Sequence, residues 1–351
     1  MKIIEATSGL AELAKVRKGC VLTIGNFDGV HIGHQEILAA ARQAAARRAV
    51  ELTVMTFEPH PLAVLHTEKS FGILTPLALK KHLLAELGVD CFVVVKSTRR
   101  LLALSPQDFV HRFLVENIQP AVVVEGRSFN FGSGRTGSVH VLQELGTEHG
   151  FEVVVVDAKK VKTSMGQTVP VSSTVIRDLL KAGSVSDAAG ALGRPYRLIG
   201  QVVPGKGKGK QLGFPTANLQ PCGQTEGGLG HPSRERDRIK AASGGQLIPG
   251  EGVYAGFVEI GENFADVCST EQKLPAVFSI GRSETLADEH SLLIEAHLLI
   301  EDVGDLIGKY MAMDFIRRLR SQHKFKTPED LSKQIAKDCE KAKQILPRPK
   351  I

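Results

Sequence analysis

The run from Val21 to His34, VLTIGNFDGVHIGH, limits this chain more than any other stretch. A short apolar segment, Val21-Leu22-Thr23-Ile24, stops abruptly at Gly25. Polar residues and glycines follow, and an Ala-rich, helix-forming run begins near His34. That order spells a buried strand, a tight turn and a helix N-terminus. Such a corner sets backbone N–H groups and the positive end of a helix dipole beside two imidazoles, His31 and His34. A polyphosphate suits it. Two His three apart also fit a metal pair or a plain helix surface.

The rest of the N-terminal half repeats the theme. Val21–Ile24, Leu52–Phe57, Cys91–Val95, Ala121–Val124 and Phe151–Val156 are short, apolar and rich in β-branched residues. Helical candidates lie between them, near 34–48, 76–87 and 105–117. The alternation predicts a parallel sheet with helices on its faces, and ligands in such folds bind beyond the carboxyl ends of the strands. After Leu192-Gly193-Arg194-Pro195-Tyr196 the pattern changes. Leu198–Val203, Gly252–Ile260, Pro275–Ile280 and Leu292–Ile300 are strand-like and separated by turns, which predicts a small β-barrel. Apolar residues at Phe315, Ile316, Leu319, Leu331, Ile335 and Ala342 predict a long amphipathic helical tail. A chain of 351 residues accommodates two such domains, with the boundary expected at 185/186. Residues 220–247 are rich in Gly, Ser and charge and predict a disordered insertion.

Four further stretches carry candidate chemistry. Thr56-Phe57-Glu58-Pro59-His60-Pro61 ends a strand with two prolines. Residues 124–137 hold Ser128, Phe129, Phe131 and Arg135 among glycines; aromatics and a cation suit a flat ligand with a phosphate, or a plain surface loop. Ser172-Ser173-Thr174 open a helix with Arg177 one turn on, as a cap or as an anion site. The loop from Gly205 through Lys206 and Lys210 to Phe214-Pro215-Thr216-Ala217-Asn218 alternates Gly with Lys, as a phosphate cradle or a nucleic-acid patch. Its spacing departs from the P-loop at Pro204 and Gln211. Glu295 lies in a strand-like run, Leu292–Leu299, as a candidate general base or a surface carboxylate.

His31-Ile32-Gly33-His34 has the His-x-Gly-His form of the nucleotidyltransferases. The ordered set of motifs over residues 15–345 resembles the bacterial bifunctional riboflavin kinase/FAD synthetase family. The matching stretches are GNFDGVHIGH, TFEPHP, SFNFGSGRTG, SSTVIR, LGRPY, LGFPTAN, PGEGVY and IEAHLL. The resemblance implies a Rossmann-like nucleotidyltransferase α/β domain followed by a β-barrel riboflavin kinase domain with a C-terminal helix. It implies ATP-dependent conversion of riboflavin to FMN, then adenylylation of FMN to FAD with release of pyrophosphate.

On that basis Gly25, Asn26, Phe27, Asp28, Gly33, Ser173, Thr174, Arg177, Gly205, Lys206 and Lys210 are carried over as nucleotide contacts. His60, Ser128, Phe129, Phe131, Arg135, Phe214 and Pro215 are carried over as flavin contacts. Thr216 and Asn218 are the implied Mg²⁺ ligands, and His31, His34 and Glu295 the catalytic residues. Ser128 stands where the family has Asp or Asn, and the 279–286 loop keeps only Gly281 and Thr285 of the family's pattern.

The net charge of +6 suits anionic substrates and, equally, RNA. Five widely spaced Cys, an odd count, argue against a disulfide framework and suggest a reducing cytoplasm. Met1-Lys2-Ile3-Ile4 lacks a signal-peptide pattern, and no apolar run reaches membrane-span length. The resemblance implies small-molecule substrates, without nucleic acid or membrane. Two rivals stay open: an adenylyltransferase whose kinase half is weakened at 279–286, and a non-enzymatic RNA-binding protein. Oligomeric state is not legible.

Overall fold

The computed structural model describes residues 1–7, 9–65, 72–205, 207, 209, 212–222, 245–269, 273–282, 292–300 and 304–347. The chain divides into two compact units, the first ending at Ser173 and the second beginning at Thr174.

The first unit is built on a six-stranded sheet. In chain order its strands are β1 (Lys2–Ala6), β2 (Val21–Ile24), β3 (Leu52–Glu58), β4 (Cys91–Lys96) and β5 (Val122–Gly126). After a two-stranded ribbon, β6 (Asn130–Phe131) and β7 (Gly137–Ser138), comes β8 (Glu152–Val156). The order across the sheet is β1-β4-β3-β2-β5-β8, and every ladder is parallel. A second ribbon pairs β9 (Lys160–Lys162) with β10 (Thr168–Pro170).

The parallel sheet follows from continuous apolar strands: β2, β4 and most of β3 are buried on both faces. Helix α1 (Ile32–Arg48) follows β2, α2 (Leu77–Glu86) precedes β4, and α3 (Val139–His149) precedes β8. The expected helix near 105–117 is a short α-turn, Pro106–Phe109, continued by a π-helix over Val110–Ile118. Two cores result. One gathers Leu22, Val93, Phe109, Phe113 and Phe131; the other gathers Phe27, Leu38, Leu52, Phe92 and Val124.

The strand order puts a topological switch between β2 and β5. The chain leaves β2 toward β3 and β4, then returns to β5 on the opposite side. The β2–β5 ladder is short, with Val21 opposite Val122 and Leu22 opposite Val123. Beyond that point the strands part, the position where open α/β sheets form a ligand crevice.

The second unit opens with α4, which starts at Ser173 and runs to Lys181, and α5 (Val185–Leu192). Six strands then close a barrel: β11 (Tyr196–Val203), β12 (Ala217–Pro221), β13 (Gly252–Gly261), β14 (Leu274–Arg282), β15 (Leu292–Leu298) and β16 (Tyr310–Arg320). Their order is β11-β12-β15-β14-β13-β16, with antiparallel ladders. Helix α6 (Pro328–Ile345) is capped by the Thr327 side chain and packs on β13, β14 and β16.

The barrel corrects two expectations. Tyr310–Arg320 is a strand and not the start of the helical tail. It pairs with β11 on one side and β13 on the other, so it removes the two open edges the barrel would otherwise leave. Met311, Ala312, Met313 and Phe315 are buried by that closure.

The second correction concerns the stretch 220–247. Residues 223–244 lie outside the described residues, but both ends are built into the fold. Gln220 and Pro221 finish β12, and Leu247 is buried. Gln246 accepts from the Ile199 N–H at 3.0 Å and donates to the Arg197 carbonyl. The 279–286 loop likewise begins as strand: Ser279–Arg282 belong to β14, and residues 283–286 lie outside the described residues.

A buried ion network ties three barrel strands. The Arg197 guanidinium donates to Asp314 at 2.8 Å through Nε and a terminal nitrogen, and to Glu259 at 2.8 and 2.9 Å. These bidentate bonds compensate the desolvation of all three groups.

Candidate active site

The corner after β2 is a dense set of backbone anchors. The Gly25 N–H bonds the Met55 carbonyl. The Asn26 carbonyl accepts from Lys80 Nζ at 2.7 Å and from Thr56 Oγ1 at 3.2 Å. Asp28 is 2% exposed, and its Oδ1 accepts from the N–H groups of Leu74 and Thr75 at 2.9 and 3.0 Å. The Gly29 N–H donates to Thr75 Oγ1, and Gln35 Nε2 donates to the Val30 carbonyl. The Ser173 hydroxyl donates to the Asp28 carbonyl at 2.8 Å. These bonds hold a turn in which Phe27, Gly29 and Val30 all have positive φ, at 46°, 92° and 42°. Non-Gly residues adopt that region only when their surroundings impose it.

His31 is the N-cap of α1. Its Nδ1 accepts from the His34 N–H at 3.2 Å. That bond needs an unprotonated Nδ1, so the ring carries its proton on Nε2 and offers a donor at the helix N-terminus. The His34 ring stacks on the His31 ring, with centroids 3.6 Å apart and planes 13° from parallel, and Phe27 lies 5.1 Å from His34. Gly33 has a reason in the cap itself: a Cβ there would stand 3.2 Å from two atoms of the His31 ring.

His60 is also buried, and its Nδ1 accepts from the Leu62 N–H at the start of the short helix Pro61–Leu65. The loop after β5 divides the residues expected there. Ser128 and Arg135 are exposed, and Arg135 has φ 62°. Phe129 is half-buried and stacks on Phe131 at 5.5 Å. Phe131 is a core residue, packed on Phe109 at 5.7 Å, so the structure gives this ring a packing role. Ser173 stands at the corner, while Thr174 and Arg177 belong to the second unit, where Thr174 is exposed and Arg177 buried.

Sequence reasoning missed two buried charges of the first unit. Glu125, on β5, is 2% exposed, and its Oε1 accepts from the Ile24 N–H at 2.6 Å. It replaces the ladder partner that β2 loses where β2 and β5 part. Burial pushes its carboxyl well above the usual carboxylate range. Lys80, on α2, is 4% exposed; burial lowers its pKa, and the charges of Asp28 and Glu58 oppose that shift. Glu58 is raised, again mainly by burial. Neither position stands out in the sequence, because both read as ordinary charges at the edge of an element.

In the second unit three oxygen-bearing side chains converge. Asn218 on β12 stands directly opposite Glu295 on β15, so both side chains share one face of the ladder. Thr216 Oγ1 lies 3.4 Å from Glu295 Oε1. Along β15 the buried residues are Ile294, Ala296 and Leu298, so Glu295 and His297 face outward, half-buried. Glu295 is thus an outer-face carboxylate and not a barrel-core one. His297 Nδ1 donates to the Pro215 carbonyl at 2.8 Å, and its ring meets Phe214 edge-on at 5.4 Å. Phe214 is half-buried and Pro215 exposed. Gly205 packs against the Asn218 amide: a Cβ on it would fall 1.8 Å from Nδ2. Lys206 and Lys210 lie outside the described residues.

The donor set of Thr216, Asn218 and Glu295 is all oxygen, which suits a hard divalent cation. Among the described residues no group of three His, Cys, Asp or Glu side chains is arranged for a metal, and no helix is long and apolar enough to cross a membrane.

Comparison with known proteins accounts for both units. Residues 13–174 match the FAD synthetase family and residues 192–346 the riboflavin kinase family. The bifunctional riboflavin kinase/FMN adenylyltransferase of Escherichia coli (strain K12) is 35% identical, over 96% of both chains. That of Pseudomonas fluorescens is 33% identical, over 97% of this chain and 98% of its own. A crystal structure described as a macrolide-efflux protein from Streptococcus pneumoniae superposes with a TM-score of 0.77 at 25% identity, covering 97% of this chain and 99% of that one. With both halves matched in order and relatives above 30% identity along nearly its whole length, the chain belongs to the bifunctional riboflavin kinase/FMN adenylyltransferase family.

Proposed function

We propose that the chain makes FAD from riboflavin in two steps, with the residues assigned as follows. The barrel transfers the γ-phosphate of ATP to riboflavin, giving FMN. The N-terminal domain joins AMP from a second ATP to FMN, giving FAD and pyrophosphate. The observation that carries the reading is the pair of sites in one chain: a His-capped strand-to-helix corner in the first unit, and the Thr216–Asn218–Glu295 cluster in the second.

Adenylyl transfer needs no strong base, because the attacking phosphate of FMN is already anionic. The demand is to orient two anions and to stabilise charge that builds on the α-phosphate and on pyrophosphate. A His31 Nε2–H at a helix N-terminus, with His34 stacked on it, meets that demand. Gly25, Asn26, Phe27, Asp28 and Gly33 shape the turn. Ser173, Thr174 and Arg177 are assigned to the triphosphate, which sets the functional boundary of this domain at 185 rather than at the start of α4. His60, Ser128, Phe129 and Arg135 are assigned to the flavin side.

Phosphorylation of riboflavin is different, because a neutral hydroxyl must lose a proton. Glu295 is assigned as the general base, and Phe214 and Pro215 as flavin contacts. Thr216 and Asn218 would hold Mg²⁺, with Gly205, Lys206 and Lys210 near the phosphates. Mg²⁺, when bound, neutralises phosphate charge. The substrates are ATP, riboflavin and FMN, with no nucleic acid, and the compartment is the cytoplasm, as the odd count of five Cys suggests.

The test is chromatography of riboflavin incubated with the protein, ATP and Mg²⁺, beside a parallel reaction started from FMN. FAD from both is expected. FAD from FMN alone would remove the kinase assignment, and no product from either would overturn the whole reading.

A further inference from the structure

We propose that Lys80, with Thr56, is a positioning residue for adenylyl transfer: its buried amine locks the Asn26–Phe27 peptide in the orientation the corner needs. This inference rests on reading the His31–His34 corner as the adenylyltransferase site.

A lysine is costly at this place. It is 4% exposed on α2, between buried Leu79 and Leu84, where an apolar side chain would serve packing without desolvating a charge. Its Nζ is spent on the Asn26 carbonyl, 2.7 Å away. Thr56, at the end of β3, gives its hydroxyl to the same oxygen at 3.2 Å. Two donors from two elements thus meet one carbonyl of the turn. Burial disfavours the charge of Lys80, and the nearby carboxyls of Asp28 and Glu58 offset that effect in part. Asp28 is itself fixed by two amides, so the cluster is a rigid floor beneath the turn.

A peptide unit is planar and trans, so its carbonyl and its N–H point in opposite directions. Holding the Asn26 carbonyl toward the interior turns the Phe27 N–H to the other side of the turn. The neighbouring residues make this the weak point. Phe27 and Val30 sit at φ 46° and 42°, strained non-Gly conformations that persist only where their surroundings impose them. A flip of the 26–27 peptide would relieve Phe27. It would also take the carbonyl off both donors and leave a buried amine without that acceptor. Lys80 therefore opposes the relaxation that would undo the corner four residues before the His31 cap.

The experiment uses the full chain with Lys80→Met and Thr56→Val. FMN adenylylation is measured with ATP varied and then FMN varied, and riboflavin phosphorylation by the same preparations is the internal standard for folded protein. For Lys80→Met we expect kcat/KM for ATP to fall about 100-fold, equivalent to about 2.7 kcal/mol of transition-state stabilisation. We expect KM for FMN to hold and phosphorylation to stay within about twofold, since only ATP orientation is lost. For Thr56→Val, which removes the longer of the two bonds, the fall is about three- to tenfold.

Wild-type kcat/KM for ATP in both variants, with only melting temperature lowered, would make Lys80 structural and overturn the proposal. If Lys80→Met does not fold, Thr56→Val decides alone on the same criterion. A failure of the underlying site reading looks different: the wild-type chain itself would make no FAD from FMN, and the proposal would fall with it.

Discussion

Glu125 allows a test of how the crevice between β2 and β5 is held, through the substitution Glu125→Gln. The side chain accepts the Ile24 N–H in a site sealed from water, and its carboxyl resists ionisation because of burial. In the unfolded chain the same group ionises near the ordinary Glu value. Between the two values the native state holds a proton that the unfolded state has released, so stability falls as pH rises. The slope is about 1.4 kcal/mol per pH unit, and it levels off once pH passes the folded value.

A glutamine keeps an oxygen for the Ile24 N–H and has nothing to ionise. At pH 4 the two proteins should agree within about 1 kcal/mol, the worth of one neutral hydrogen bond. From pH 4.5 upward Glu125→Gln should become progressively more stable than wild type, by about 1.4 kcal/mol for each unit up to the folded value. Because the chain has two units, a single melting curve would mix them. Hydrogen exchange read by mass spectrometry on peptides covering β2 and β5 reports this unit alone. A difference between the two proteins that stays flat from pH 4.5 to 7 would refute the reasoning, since it would mean Glu125 ionises as readily folded as unfolded.

Three further outcomes follow from the geometry. Gly33→Ala should push the His31 ring off the His34 amide, cost about 0.5–2 kcal/mol of α1 capping, and depress FAD formation from FMN while riboflavin phosphorylation continues; unchanged FAD formation would separate the cap from the chemistry. Gly205→Ala should displace the Asn218 amide and slow riboflavin phosphorylation about 10–100-fold, with adenylylation intact as the control, a loss of about 1.4–2.7 kcal/mol in transition-state stabilisation. Arg320→Met should strand buried Asp338, which accepts from Arg320 Nε at 2.9 Å, and cost about 3–5 kcal/mol in calorimetry of the second unit, most of it recovered by adding Asp338→Leu. A cost near zero for Arg320→Met would show that this ion pair adds nothing net to the docking of α6.

The sequence disclosed the first unit where periodicity was unambiguous. Strands β2, β3 and β4 are apolar runs broken only by Thr23, Thr53, Thr56 and the terminal Glu58 and Lys96, and the structure places them within a residue of the expected spans. Strand β1 escaped notice because its five residues sit at the chain start, with only Ile4 and Ala6 buried. Tyr310–Arg320 misled because Phe315, Ile316 and Leu319 have helical spacing while arginines break the alternation expected of a strand. Its conformation is dictated by partners distant in sequence, which no local pattern records. The corner's cap residues were legible as a motif, but its anchors were not. Lys80, Thr75 and Thr56 reach the turn from other elements, through contacts only the fold creates.

The two sites solve opposite problems, and their surroundings differ accordingly. On the assignment proposed above, both reactants at the corner are anionic, so the protein need only present donors that do not rearrange. A turn held at positive φ by seven side-chain bonds to its backbone and to Asp28 is such a rigid array. In the barrel a proton must leave a neutral hydroxyl, so a carboxylate must stay ionised and accessible. A Glu buried inside the barrel would fail, since desolvation favours its protonated form, as burial does for Glu125. Glu295 stands instead on the outer face, half-buried, beside Thr216 and opposite Asn218. The contrast between Glu125, sealed within the sheet, and Glu295, half-buried on the outer face, is therefore the physical ground for the proposal that the first is structural and the second the base.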